Sequence, residues 1–191
     1  MRRAAIIIFL ATGVLWAQDT DPLGKVVKNA PQTPNQLTQG PNRLQPAGLD
    51  IMMQELYSVI SGPAGKVRNP DRFRNLFLKD KGRLTNVGKD PKTGQIIVNL
   101  ITPEDYIQNS FPKLEKNGFF EREVGRRTER FGNIVQVWST YESRHTADGQ
   151  PFQRGINGLQ LVNDGSGWKI LSIFWEAERP DNPIPQEYLK R

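Results

Sequence analysis

Between Phe119 and Glu176 the sequence repeats one pattern: a long run of strand-like residues, then a short cluster rich in Gly, Asn, Asp or Pro. The runs are Phe119 to Arg130, Gly132 or Asn133 to Arg144, Phe152 to Val162 and Trp168 to Glu176. Ala147-Asp148-Gly149-Gln150-Pro151 and Asn163-Asp164-Gly165-Ser166-Gly167 separate the later runs. Connections this short join antiparallel neighbours, because a parallel return needs a crossover of a dozen or more residues. A long antiparallel sheet is therefore expected. Alternation assigns its faces. Val135, Val137, Ser139 and Tyr141 alternate with Gln136, Trp138, Thr140 and Glu142. Asn157, Leu159 and Leu161 alternate with Ile156, Gly158 and Gln160. In the last run, Trp168, Ile170, Ser172, Phe174 and Glu176 alternate with Lys169, Leu171, Ile173 and Trp175. Both faces carry apolar groups, so each packs on something. Helices are expected on one. Trp138, Ile156, Ile173 and Trp175 mark the other, where the expected cover is a second copy of the chain in a homodimer. The N-terminal segment or the Pro-rich tail at 180–185 is the alternative cover.

The helices precede the sheet. Leu49, Met52, Met53, Leu56, Val59 and Ile60 recur at helical spacing, and Ser61-Gly62-Pro63 stops that helix. Asn69-Pro70-Asp71 starts a second with a cap, a proline and a first-turn acid; its apolar side is Phe73, Leu76 and Phe77. Two short strands, Leu84 to Val87 and Gln95 to Ile101, flank Asp90-Pro91-Lys92-Thr93-Gly94. Thr102 caps a third helix, with Asp105 in the capping-box position, and it ends near Asn117-Gly118. Helices segregated from strands make the class α+β: three N-terminal helices on a strongly curved antiparallel sheet.

The 191 residues divide further. Arg2-Arg3, the apolar run Ala4 to Val14 and Ala17 follow the pattern of a secretory signal peptide over residues 1–17. The run is shorter than the roughly 20 residues that span a bilayer. Leu15 stands where a small residue usually precedes the cut, and the alternative is a retained membrane anchor. Export to the periplasm or beyond is expected, with no transmembrane segment after cleavage. Residues 18–47 hold five prolines, many Gln, Asn and Thr, and no aromatic residue, the composition of a disordered tether. The folded domain is expected over 48–179, with a C-terminal tail at 180–191. Removing residues 1–17 takes away two arginines and no acid, leaving a net charge of +4 without a basic stripe. No nucleic-acid partner is expected. The absence of cysteine excludes disulfides and thiolate chemistry, and a single histidine excludes histidine-rich metal sites. No metal or cofactor is expected.

Asp71-Arg72-Phe73-Arg74-Asn75-Leu76-Phe77 in the second helix and Asp164-Gly165-Ser166-Gly167-Trp168-Lys169-Ile170 before the last strand resemble the nuclear transport factor 2-like superfamily, which includes the SnoaL-like proteins. Phe131-Gly132-Asn133 with Ser139-Thr140-Tyr141-Glu142-Ser143-Arg144 is similar to its secreted bacterial members. The resemblance spans roughly Leu49 to Arg179. It implies a cone whose curved sheet wraps a long helix around a pocket. That fold hosts isomerases, dehydratases, cyclases and non-catalytic binders, and does not choose among them.

Pocket candidates are Tyr57, Tyr106, Tyr141, Asn157, Ser172 and Glu176. Tyr141, Asn157 and Ser172 share the alternation that buries Val137, Leu159 and Ile170, and are read as the ligand-binding set: polar groups in an apolar wall. Buried tyrosine hydroxyls and amides demand partners, so bonding to each other or to the backbone competes with this reading. The alternative is a lyase or isomerase in which Tyr141 and Glu176 act on a small apolar substrate. Ketosteroid isomerase members pair an acidic base with a tyrosine–acid oxyanion site. Dehydratase relatives place histidine inside the cone, whereas His145 sits at a hairpin end. Arg144 and Arg154 offer an anion site, or ion pairs with Glu142. With no ionisable group securely in the pocket, the expectation is binding of a small apolar molecule, or a dimeric interaction module, without catalytic residues.

Overall fold

The structure is a computed structural model that describes residues 46–190, with side chains from Gly48 onward. The expected leader at 1–17 lies outside the described residues, as does the tether up to residue 45; residues 46 and 47 already belong to a helix. The elements in chain order are α1 (Pro46–Ile60), α2 (Pro70–Asn75), β1 (Arg83–Lys89), β2 (Ile96–Ile101), α3 (Pro103–Asn109), α4 (Phe111–Asn117), β3 (Phe120–Phe131), β4 (Ile134–Arg144), β5 (Gln153–Asn163) and β6 (Trp168–Ala177). A 3-10 turn at Gln186–Tyr188 follows. The class is α+β: a curved, unclosed six-stranded sheet in the order β2-β1-β6-β5-β4-β3 with helices packed on it. All neighbours are antiparallel except β1 and β6. That parallel seam forms because β6 returns beside β1 only after two helices and four further strands have intervened, a connection long enough for a parallel return.

Local chemistry starts the helices where expected. The Asn69 side chain accepts from Arg72 N at 3.0 Å. Thr102 and Asp105 form the reciprocal capping box, at 3.1 and 2.9 Å. The expected third helix is two. Pro112 has no N–H for the Gln108 carbonyl and its ring crowds that carbonyl, so α3 ends and α4 begins around Ser110. Leu49, Met52, Met53, Leu56, Tyr57, Val59 and Ile60 of α1 are buried in one core with Val135, Val137, Tyr141, Leu159, Leu161, Ile170 and Ile173 of the sheet.

One irregularity changes the face assignment. Gln160 pairs with Ser172 and Leu161 with Ile170, so Leu171 is an extra residue on β6. A bulge of one residue exchanges the two faces beyond it. Trp168 and Ile170 before the bulge, and Ile173 and Trp175 after it, all join the core side. The outward placement expected for Ile173 and Trp175 is thereby corrected. Trp138 lies on the outer face, its ring 5.7 Å from Phe174 and 6.0 Å from Tyr188. The C-terminal segment is laid on the Trp138 end of that face, while Ile134 and Leu171 toward its other end are exposed. Ile184 is buried, Thr140 Oγ1 donates to the Tyr188 carbonyl at 2.6 Å, and Arg126 N donates to the Lys190 carbonyl at 3.3 Å. Gly125 admits this approach, since a Cβ there would lie 2.4 Å from the Tyr188 carbonyl oxygen.

Candidate functional site

The inner face of the sheet and the helices enclose a cavity of about 270 Å³. That is room for one small organic molecule. Leu56, Ile60, Phe73, Phe77, Leu84, Ile173 and Trp175 supply an apolar wall. Tyr106, Glu121, Tyr141, Ser143 and Asn157 supply polar groups, and Lys113 and Gln153 are also in the lining. A few polar groups set in an apolar surface orient a ligand whose body is held by burial.

Each polar group is placed by an identifiable element. Ser61, one residue past α1, donates to the Tyr57 carbonyl at 2.6 Å and accepts from Glu121 N at 3.0 Å, tying the start of β3 to the end of α1. The β3–β4 register sets Glu121 opposite Ser143 and Glu123 opposite Tyr141, so these four share the face toward the helices. Ser143 Oγ donates to Glu121 Oε2 at 2.8 Å. The Tyr106 ring stacks on Phe73 at 5.0 Å and meets Trp175 edge-on at 6.4 Å, which fixes its direction. Asn157 Nδ2 donates to the Tyr57 hydroxyl at 3.2 Å, and that hydroxyl lies 2.6 Å from Ser139 Oγ.

Glu121 dominates the electrostatics. Burial pushes its carboxyl up to about 7, against the opposing hydrogen bonds of Ser143 and Asn157. Burial also pushes the Tyr57, Tyr106 and Tyr141 hydroxyls up, and the Glu121 charge adds to this at each. They remain protonated donors at neutral pH. The Tyr106 and Tyr141 hydroxyls have no hydrogen-bond partner among the described residues, which leaves both donors for a guest. A carboxyl poised near neutrality is chemically able to take up a proton, and phenol donors beside it are able to stabilise negative charge on an oxygen.

The structure brings Tyr141, Asn157 and Tyr106 together in the cavity wall. Tyr57 stands behind the wall, bonded to Ser139 and Asn157. Ser172 is corrected: it pairs with Gln160 beyond the bulge and sits on the outer face, outside the cavity. Glu176 is outside it for the same reason and binds Arg179 at 2.7 Å. The expectation that no ionisable group occupies the pocket is overturned by Glu121. Its signal in the sequence is the pairing with Ser143: once Tyr141 and Ser143 face inward, so do their cross-strand partners. Arg144 pairs with Glu142 and Arg154 with Glu178, so the two arginines form ion pairs, not an open anion site. His145 stacks on Phe152 at 4.3 Å, away from the cavity. Among the described residues, no group of three His, Asp or Glu side chains is placed to hold a metal, and no helix is long and apolar enough to cross a membrane.

No family model and no curated sequence matches the chain. Solved structures do. A cystatin-like protein of unknown function from Nostoc punctiforme is 9% identical, with a TM-score of 0.54 over 72% of this chain and 94% of its own. A Mycobacterium tuberculosis protein of unknown function is 11% identical, with a TM-score of 0.55 over 78% and 87%. A candidate scytalone dehydratase from Novosphingobium aromaticivorans is 14% identical, with a TM-score of 0.53 over 76% and 96%. At such identities the likeness speaks for architecture alone: the chain has a cystatin-like α+β fold.

Proposed function

We propose that the cavity binds a small, largely apolar molecule bearing a carbonyl or hydroxyl group, and that Glu121 exchanges a proton with it, as a lyase or isomerase requires. The observation that carries this reading is the Glu121 carboxyl, lifted to about 7 in a wall that also presents Tyr106 and Tyr141. In the simplest step the Glu121 carboxylate takes a proton from the carbon next to a carbonyl. The C–H electrons move into the new C=C bond, and the carbonyl oxygen becomes an enolate held by the two phenol donors. Return of the proton to a different carbon completes an isomerisation; its delivery from Glu121 to a β-hydroxyl, which leaves as water while the enolate electrons restore the C=O bond and form the new C=C bond, completes an elimination. The candidate scytalone dehydratase among the structural relatives supports the class without identifying a substrate. Binding without turnover, the expectation from sequence, rested on the lack of an ionisable group, and Glu121 removes that ground. The test is hydrogen–deuterium exchange at the α-carbon of small cyclic ketones, followed by NMR with the full chain in D₂O. Saturable exchange that disappears in Glu121→Gln is expected; exchange that persists in that variant contradicts the assignment.

Export and self-association belong to the same proposal. The leader pattern at 1–17 supports export to the periplasm or beyond. With the outer sheet face covered around Trp138, the apolar edge strand β2 is a surface that supports a homodimer: Ile96, Val98 and Leu100 are 60%, 61% and 65% exposed, and no charge guards the strand.

A further inference from the structure

Glu123 lies on the same face of β3 as Glu121 but outside the cavity lining. Its carboxylate receives Arg126 Nε at 2.9 Å and Nη2 at 2.6 Å, and Arg126 also binds Asp50 at 2.5 Å. Its oxygens are acceptors for the guanidinium. The fully buried Ser139 hydroxyl donates to it. A hydroxyl has one proton, so Ser139 must accept in its 2.6 Å bond with Tyr57, and the Tyr57 O–H donates. The Tyr57 oxygen in turn accepts from Asn157 Nδ2. Every direction along this chain is dictated from the carboxylate end. A flipped Asn157 amide would set its carbonyl oxygen against a tyrosine oxygen whose only proton is committed elsewhere. Asn157 Oδ1 is thus the amide atom left over, and it accepts nothing among the described residues.

We propose that Glu123 is a positioning residue: through Ser139 and Tyr57 it locks the Asn157 amide so that Oδ1 is the free acceptor of the cavity, and the site takes ligands that offer a hydrogen-bond donor beside the Glu121 carboxyl. This rests on the small-molecule reading of the cavity. With Tyr106 and Tyr141 as donors, it narrows the ligand class to hydroxylated carbonyl compounds. An analogue lacking the hydroxyl would leave Oδ1 desolvated and unpaired.

The lock has a measurable consequence, because a freed amide no longer turns its N–H groups toward the Glu121 carboxylate. Titratable or charged groups around Glu121 are Tyr57 on α1, Tyr106 on α3, Lys113 on α4, Tyr141 on β4 and Glu123 on its own strand. By charge alone, removing Glu123 lowers the Glu121 midpoint, since a like charge is lost. Breaking the lock raises it. The experiment follows the carbon-13 carboxyl resonance of Glu121 in the full chain across pH, in a cycle of Tyr57→Phe and Glu123→Ala. Tyr57→Phe is expected to raise the midpoint by about half a unit or more. Glu123→Ala is expected to raise it in the native background and to lower it, or leave it unmoved, in the Tyr57→Phe background. The same shift in both backgrounds, or no shift in Tyr57→Phe, overturns the proposal. Ser139→Ala cuts the same chain and replaces Glu123→Ala in the cycle if that variant fails to fold. The absolute midpoint of the native chain tests the role of Glu121; differences within the cycle test the lock.

Discussion

Burial that suits Glu121 to proton transfer also works against folding. Its carboxyl is lifted from an ordinary 4.5 to about 7 in the folded chain. Between those two pH values the native state holds a proton that the unfolded state has released, so this group's contribution to stability falls as pH rises from 4.5 through 7. At about 1.4 kcal/mol per unit, the cost above pH 7 is on the order of 3 kcal/mol. Glu121→Gln should therefore raise the thermal midpoint at pH 8 while leaving it nearly unchanged at pH 4; an equal effect at both would contradict the shifted carboxyl. Tyr141 and Asn157 were legible as cavity residues because strict alternation holds along β4 and across the middle of β5. Glu121 was not, because a strand as charged as Phe120–Phe131 shows no apolar face of its own. Its inward direction comes only from its partner, Ser143.

At the scale of elements, caps and turns were readable because their chemistry is local: a side chain bonds a backbone group two or three residues away. Thr102→Ala removes the side-chain acceptor for Asp105 N–H while keeping the backbone link to the Asp105 carboxylate, and should cost about 1 kcal/mol in denaturant unfolding; no loss would mean that α3 is held by packing alone. The bulge at Leu171 was not readable. The residues from Trp168 to Glu176 put apolar groups on both alternate sets, so no polar face marks the slip, and the extra residue lets β6 bury both Ile170 and Ile173. That single slip moved Ser172 and Glu176 out of the candidate site. The C-terminal segment was anticipated only as one of the possible covers. Its close passage over Gly125 gives a direct check. Gly125→Val should lift residues 186–190 from β3 and quicken proteolysis there, with little change at the cavity; an unaltered cleavage pattern would show that the segment is held elsewhere.

For the whole molecule, the α+β class followed from the order of helix and strand signals, while the cavity followed from three-dimensional register. Mass measurement of the protein recovered from the cell envelope or medium should give a chain starting near Gln18, and an intact Met1 would contradict cleavage of the leader. Sedimentation at micromolar concentration should give twice the chain mass, and Val98→Lys on the exposed edge should return it to a monomer; a monomeric native chain removes the homodimer. The account turns above all on one ionisable group in an apolar cavity. Its most direct test is the pH titration of the Glu121 side-chain carboxyl by carbon-13 NMR in the full chain. A midpoint near 7 is predicted, with the resonance lost in Glu121→Gln; a midpoint at the ordinary glutamate value near 4.5 would contradict it.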